Sequence, residues 1–580
     1  MAAGQPKPAF YAVLFLVVAG LVGFAIYRSD LFAPKANKAN NGGDIDLSQF
    51  EGKAEDPAGG ATTTVKEYKF KPAERLPPVT GQKAFKSLTD TDNTLRFALN
   101  VWAGWGPIIF ANEGFKPGKI WKGPGGKEFK VELVLIDNPI AMRDAYASGD
   151  IHIGWATLDM IPLFMEGFVD KQGKPRDSRI MPRVYQQVDW SNGGDGIVVR
   201  EAIRTVRDLS GKSMVLAQNS PSHYFALNML VSGGVQPADV NMTFTEDAFQ
   251  AAAAFNAQRN ELDAVVSWAP DIYALAEAKG NRMLVTTADA NKLIADVWFA
   301  RADFAEAHPD IIEALVRGIF DGMEALKDGQ NKAKCAEYMA AGYSIQAKDA
   351  MSMFADAHNT NWAENYQFFL NQNNPANFEQ VWTRAYYLYR KIGSITHQPV
   401  SFDQVMDYSL IEKLGKEQKY KSQVDEYRAR LTPRSAQQIE AESPEILARR
   451  ITIHFFPNSA DLNKKITKEV NGKTTEVAYD PNVDLVLKEA GALAAQFGGA
   501  RIVVEGHTDA SRLGEVPEDV VKALSQQRAE AVQRAMVERF DLEPSRITAV
   551  GYGWDRPAEE GNHAENRRVE IKVFAAEKPE

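Results

Sequence analysis

Between Thr94 and Leu414, short apolar runs alternate with amphipathic stretches. "TLRFALNVW", "KVELVLID", "IHIGWA", "GIVVR", "SMVLAQ", "VNMTFT", "LDAVVSW" and "RMLVTT" have the length and β-branched content of strands. "NPIAMRDAYASGD", "HYFALNMLVSGG" and "DAFQAAAAFNAQRNE" carry apolar residues at helical spacing. This alternation predicts an α/β fold with largely parallel sheets, and the length suits two sheets better than one. From His308 the pattern turns mostly helical, most clearly in "IIEALVRGIFDGMEALKDG".

Other parts of the chain read differently. Residues 1–28 hold the uncharged run "PAFYAVLFLVVAGLVGFAIY", long enough to cross a bilayer as one helix. The alternative is a cleaved signal peptide, although the run is long for that and only Lys7 precedes it. Residues 29–93 are rich in Gly, Ala, Pro, Asn and charge and read as a flexible tether, whose end "VKEYKFKPAERLPP" is able to pack on the domain after it. Residues 415–449 are charged and helical in pattern, a linker. Residues 450–576 form a smaller α/β unit: strand "RITIHFF", helix "NVDLVLKEAGALAAQFG", strand "RIVVE", helix "VVKALSQQRAEAVQRAMVERF", then strands "RITAVGYG" and "RRVEIKVF". Between its first strand and helix, Asn471-Gly472 is the best hairpin signal in the chain.

Composition narrows the function. A net charge of −10 argues against a nucleic-acid partner, because phosphate binding needs a basic surface. The single cysteine, Cys335, sits in helical-looking sequence and forms no internal disulfide. The eight histidines include no i, i+4 metal pair, no nucleophile–base motif is found, and "SGKS" at Ser210–Ser213 lacks the upstream glycine of a phosphate loop. The expectation is a protein without enzymatic activity, cofactor or metal.

The chemistry that stands out is C-terminal. Asp509 follows the buried-type strand "RIVVE", where ligand sites of α/β units gather, and Arg528 lies on the next helix. A carboxylate beside a guanidinium complements a zwitterionic amino-acid group, although the two side chains would also simply pair with each other. "FFPNSADL", "VVEGHTDASR", "LSQQRAEAV", "ITAVGYGWDRP" and "NRRVEIKVF" occur in the order of the OmpA-like peptidoglycan-binding family, which residues 451–574 resemble. The resemblance implies that Asp509 and Arg528 hold the diaminopimelate of the peptidoglycan stem peptide, with His507, Thr508, Asn566 and Arg567 at or near the site. One departure is Val521, where the family usually has Asn.

The larger unit, residues 94–414, is similar to periplasmic solute-binding proteins of the nitrate/sulfonate/taurine-binding group. That similarity is carried by "VWAGWGPIIFANEGF", "AMRDAYASGDIHIGWATLD", "TVRDLSGKSMVLAQNSPSHYFALNMLVSGG" and "LDAVVSWAPDIYALAE". It implies a two-lobed fold with a ligand cleft lined by Trp102, Gly104, Trp105, Thr157, Ser220, Ser222, His223, Trp268 and Asp271. Hydroxyls at a helix start suit a small anion, whereas Asp271 suits an ammonium, so anionic and zwitterionic solutes both stay open. Core packing of the tryptophans and helix capping by the serines are the plainer alternatives.

Together these expectations describe a two-lobed binding-protein fold plus a smaller OmpA-like α/β domain, preceded by one transmembrane helix. The chain would be a single-pass inner-membrane protein with its bulk in the periplasm of a Gram-negative-type bacterium. It would bind a small solute and peptidoglycan and serve as a transport receptor for a membrane permease. The alternative is an envelope structural or sensory protein that uses the solute-binding fold as spacer or signal input.

Overall fold

The computed structural model describes residues 54–55, 66–79, 81–451, 453–456, 458–470 and 473–575. The expected membrane span and the Asn471-Gly472 turn lie outside these residues. Among the described residues no helix is long and apolar enough to cross a membrane.

The chain lays down β1 (Thr94–Leu99), β2 (Trp121–Lys122), β3 (Glu128–Leu135), β4 (Ile153–Thr157) and β5 (Pro182–Ser191) in a first lobe. It crosses to a second lobe for β6 (Asp195–Arg200), β7 (Ser213–Ala217), β8 (Asn241–Thr245), β9 (Ala264–Trp268) and β10 (Asn281–Thr286). It then returns for β11 (Ala295–Arg301) and β12 (Ala357–Asn359). The first sheet has the order β12-β5-β11-β4-β1-β3-β2, the second β10-β6-β9-β7-β8. This is a two-lobed α/β periplasmic-binding-protein architecture.

The sheets are mixed, not largely parallel as expected. β1 runs parallel to β3 and β4, and β7 parallel to β8 and β9. The strands on either side of the two crossings, β5, β6, β10 and β11, pair antiparallel with their neighbours. A strand that carries the chain out of one sheet, or brings it back, enters without the helical crossover that keeps β-α-β strands parallel. Thr287 ties the two crossings together. Its Oγ1 accepts from Gly193 N (2.9 Å) and Asp195 N (3.1 Å) and lies 2.8 Å from Ser191 Oγ.

The helical tail covers the first lobe. In Pro309–Ala325, Pro309 starts the helix without losing a needed N–H, and Ile311, Ile312, Leu315, Val316, Ile319 and Phe320 form its buried face. Part of the expected tether is ordered by contact. Tyr68 Oη donates to Val231 O (2.9 Å), and Ala73 N donates to Ile392 O (2.8 Å).

The expected helical linker is also corrected. Only Gln418–Lys421 and Ala436–Glu442 are helical, the second closed by a Ser435/Gln438 capping box. The strand expected from Arg450 instead begins at Glu445. The smaller unit contains β13 (Glu445–Ile451), the paired β14 (Lys465–Val470) and β15 (Lys473–Ala478), then β16 (Arg501–Gly506), β17 (Ile547–Gly551) and β18 (Val569–Phe574). Its four-stranded sheet has the order β13-β18-β16-β17, and the helices Val483–Gln496 and Glu518–Phe540 pack against each other beside it.

This unit is not held at a distance. The return crossing, residues 287–294, meets the end of the helix Val483–Gln496: Lys292 N donates to Gln496 O at 3.2 Å. A Cβ on Gly499 would fall 2.3 Å from the Ala288 carbonyl oxygen, so only glycine permits this approach. Tyr427, in the segment that joins the two units, donates from its Oη to Asn192 Oδ1 (2.7 Å) in the outward crossing.

Candidate functional site

Two polar clusters are buried where chemistry would be placed. The first lies at the crossings between the lobes. Asp189 on β5 is in register with Asp296 on β11, which is in register with Thr157 on β4. Three adjacent strands thus present one polar row. Asp195, at the start of β6, stands opposite Trp268 on β9. Asp159 follows β4 and accepts from Tyr389 Oη at 3.1 Å. All four carboxylates are at most 5% exposed.

Burial governs their ionisation. It lifts Asp159 to about 6 and Asp189 and Asp195 to about 7. Asp296, buried and facing Asp189, goes well above the usual carboxylate range. The charges that act on Asp189, Asp195 and Asp296 are other carboxylates, those of one another, Asp159 and Asp356. Hydrogen bonds compensate in part: Trp102 Nε1 donates to Asp189 Oδ1 (3.2 Å), and Ser191 Oγ donates to Asp195 Oδ2 (2.6 Å). Such a group stays closed by holding protons or by holding a cation.

The residues expected to line the cleft divide. Trp102, Gly104 and Thr157 belong to this cluster. A Cβ on Gly104 would lie 1.6 Å from Asp189 Oδ2, so glycine lets the carboxylate reach the loop. Trp268 is partly exposed, with its Nε1 buried and, among the described residues, without a hydrogen-bond acceptor. Ser222 Oγ, at the start of the helix Pro221–Ser232, is likewise unpartnered among the described residues. Trp105 is a core residue: its indole is fully buried, donates to Asn100 Oδ1 (2.7 Å) and meets Phe97 edge-on. Ser220 does not cap the helix with its side chain: its Oγ donates to Ala217 O at 2.8 Å. His223 accepts from Asn219 N (3.2 Å) and packs on Phe244, and burial pushes its pKa down to about 3, so it is a neutral packing residue. Asp271 is half-exposed, and burial alone raises it.

Sequence reasoning missed the four aspartates. The available signal was a carboxylate inside an apolar run, as in "LIADVWFA" and "VYQQVDW".

The second cluster surrounds the C-terminal end of β16. Asp509 is 1% exposed; its Oδ1 accepts from Ser511 N (2.7 Å) and its Oδ2 lies 3.2 Å from Arg567 Nε. His563 Nδ1 is 3.9 Å away. Thr508 N donates to Gly553 O, while Thr508 Oγ1 and Asp509 Oδ2 make no hydrogen bond among the described residues. His507 stacks on Tyr552 and is held neutral chiefly by burial.

Asp509 and Arg528 do not simply pair with each other. Arg528 Nη1 and Nη2 donate to Glu55 Oε1 (2.6 Å) and Oε2 (2.7 Å), and Nε donates to Ser459 O (3.1 Å). The guanidinium also lies over the Phe455 ring at 5.0 Å. Burial opposes ionisation of Glu55, but Arg528 and Arg567 outweigh it and hold the carboxyl below its usual range. Glu55 therefore pairs with Arg528 and feels the charge of Arg567. No feature of the sequence around it could have shown this.

Asn566 is a loop staple: its Oδ1 accepts from Ala558 N (2.7 Å) and its Nδ2 donates to Glu559 O (2.8 Å). Val521 is fully buried within the helix Glu518–Phe540, its methyl close to Gly553.

Comparison with known proteins agrees with both halves. Residues 454–570 match the OmpA family and residues 92–340 the NMT1-like family. The taurine-binding periplasmic protein of Escherichia coli is 27% identical over 217 residues, 36% of this chain and 63% of that protein. Outer membrane porin F of Pseudomonas fluorescens is 41% identical over 99 residues, 16% of this chain and 29% of the porin. Each relative is thus matched over less than two thirds of its length. The crystal structure of the periplasmic aliphatic sulphonate binding protein from Escherichia coli aligns with 20% identity and a TM-score of 0.40, covering 54% of this chain and 96% of that one.

Proposed function

We propose, for a chain that joins an NMT1-like solute-binding unit to an OmpA-family domain, that it is a cell-envelope receptor that clamps a small solute between its lobes while mooring itself to peptidoglycan. The solute carries an ammonium or similar cationic nitrogen, as a zwitterion or a cation. The observation behind this is the buried row of Asp189, Asp296 and Thr157 with Asp195 and Asp159 beside it. A cation entering there exchanges with protons that burial otherwise forces onto the carboxylates. A purely anionic solute would meet like charge. Trp102 and Trp268 offer flat walls, and Ser222 Oγ a donor for the other end of a zwitterion. Taurine, the ligand in the name of one relative, has this form.

In the second domain Asp509 and Thr508 are acceptors for the ammonium of diaminopimelate, and Arg528 and Arg567 receive its carboxylate. The apolar run at residues 8–27 would tether the chain to the inner membrane, with delivery of solute to a permease as the output. A sensory role is the second reading, favoured by the contact of the return crossing with the OmpA-family domain.

Titration calorimetry of the chain with taurine, aliphatic amines, nitrate and methanesulfonate tests the solute class. Ammonium-bearing compounds are expected to bind and the two simple anions not to; tight nitrate binding would overturn this reading. Sedimentation with purified peptidoglycan tests the mooring, with Asp509→Ala and Arg528→Ala expected to remain in the supernatant. Pelleting of both variants at the level of the unaltered chain would refute the cradle.

A further inference from the structure

We infer that Ala54–Glu55 is a built-in competitor for the peptidoglycan cradle. The inference rests on the wall-binding role proposed for Asp509 and Arg528. Glu55 presents a carboxylate to both terminal nitrogens of Arg528, at 2.6 and 2.7 Å, and both side chains are sealed from solvent, 1% and 0% exposed. That two-pronged geometry uses the face of the guanidinium that an incoming carboxylate needs. The backbone fixes the segment in place: Ala54 N and Glu55 N both donate to Asn458 Oδ1, at 2.8 and 3.2 Å.

The mimicry covers half of the cradle. Glu55 supplies a carboxylate but no ammonium; Thr508 Oγ1 and Asp509 Oδ2 make no hydrogen bond among the described residues, although Arg567 Nε lies 3.2 Å from the latter. A diaminopimelate end, with both charges, satisfies Arg528 and Asp509 together and outcompetes a ligand that satisfies Arg528 alone. The competitor is strong because it belongs to the same chain. Glu55 lies only eleven residues before Lys66, whose segment is laid against the larger domain. A short connection of this kind works at an effective concentration on the order of millimolar. Wall binding thus requires displacement of the segment that leads back toward the N-terminus, and anything that pulls or holds that segment changes the grip.

Two measurements on the full chain in detergent test this, with a soluble diaminopimelate-containing muropeptide as probe. First, Glu55→Gln should bind the muropeptide about tenfold or more tightly than the unaltered chain, since the competent fraction rises. Second, a glutamate-specific protease should cleave the unaltered chain after Glu55 faster when the muropeptide is saturating, because binding expels a side chain that is otherwise inaccessible. Equal or weaker binding by Glu55→Gln overturns the competitor while leaving the wall site standing. So does a cleavage rate indifferent to muropeptide. If neither form binds muropeptide, the wall reading falls and the competitor with it.

Discussion

Asp189→Asn puts the buried carboxylate row to a quantitative test. In the folded chain Asp189 is pushed up to about 7, against about 3.9 for an unperturbed aspartate. The cause is burial, reinforced by Asp195; Trp102 and Asp296 hydrogen bonds work the other way. Between pH 4 and 7 the folded state therefore binds more protons than the unfolded state, and stability falls as pH rises through this window. At about 1.4 kcal/mol per pH unit, raising pH from 4.5 to 7.5 costs about 3 kcal/mol at this one residue. An asparagine keeps an oxygen for Trp102 Nε1 and turns an N–H toward Asp296, with no proton to lose. The stability of Asp189→Asn relative to the unaltered chain should thus improve by about 3 kcal/mol over that pH interval. Urea unfolding followed by tryptophan emission reports it, because nine of the ten tryptophans lie between residues 102 and 382. The variant should also lose affinity for ammonium-bearing solutes. An offset identical at the two pH values would show that Asp189 holds no proton in the folded protein, and the reasoning about the cluster would fail.

Gly104→Ala should destabilise the chain by about 1–3 kcal/mol and abolish solute binding, since the added methyl collides with the Asp189 carboxylate; thermal unfolding and calorimetry read both effects. Cys335 should resist thiol reagents at pH 8 until denaturant is added. It is fully buried on the helix Gly329–Tyr343 of the helical tail, its Sγ against Gly106 O, and burial pushes its thiol up to about 12.

The eight strands foreseen in the larger unit correspond to β1, β3, β4 and β6 to β10, where apolar residues run together or alternate at strand spacing. The two long strands missed, β5 and β11, flank the crossings, and their patterns are broken by Gln186, Gln187 and Asp189 in one and Asp296 in the other. Those polar residues weaken the strand signal because their partners are tertiary: Gln186 bonds Val316 O and Trp298 Nε1, and Asp189 accepts from Trp102 Nε1. The chain was therefore least legible where polar side chains are buried in its strands. Trp105 and His223 show the converse: their types suit a ligand wall, but only packing decides whether a ring faces a cleft or a core, and both rings are buried here. In the smaller domain the motif located Asp509 just past the end of β16 and Arg528 on the helix after it. It could not show that Arg528 is engaged by a residue 473 positions earlier, because such a contact depends on tertiary structure and not on local spacing.

The seam between the return crossing and Gln496–Gly499 has a mechanical consequence. Closure of a two-lobed receptor is a rotation about its crossing strands, and here one of those crossings is clasped by the C-terminal domain. A swing of the lobes must carry that domain along or part the seam. If that domain is moored to peptidoglycan as proposed, stretching of the wall would load the hinge, and retention of the proposed solute would become sensitive to envelope tension.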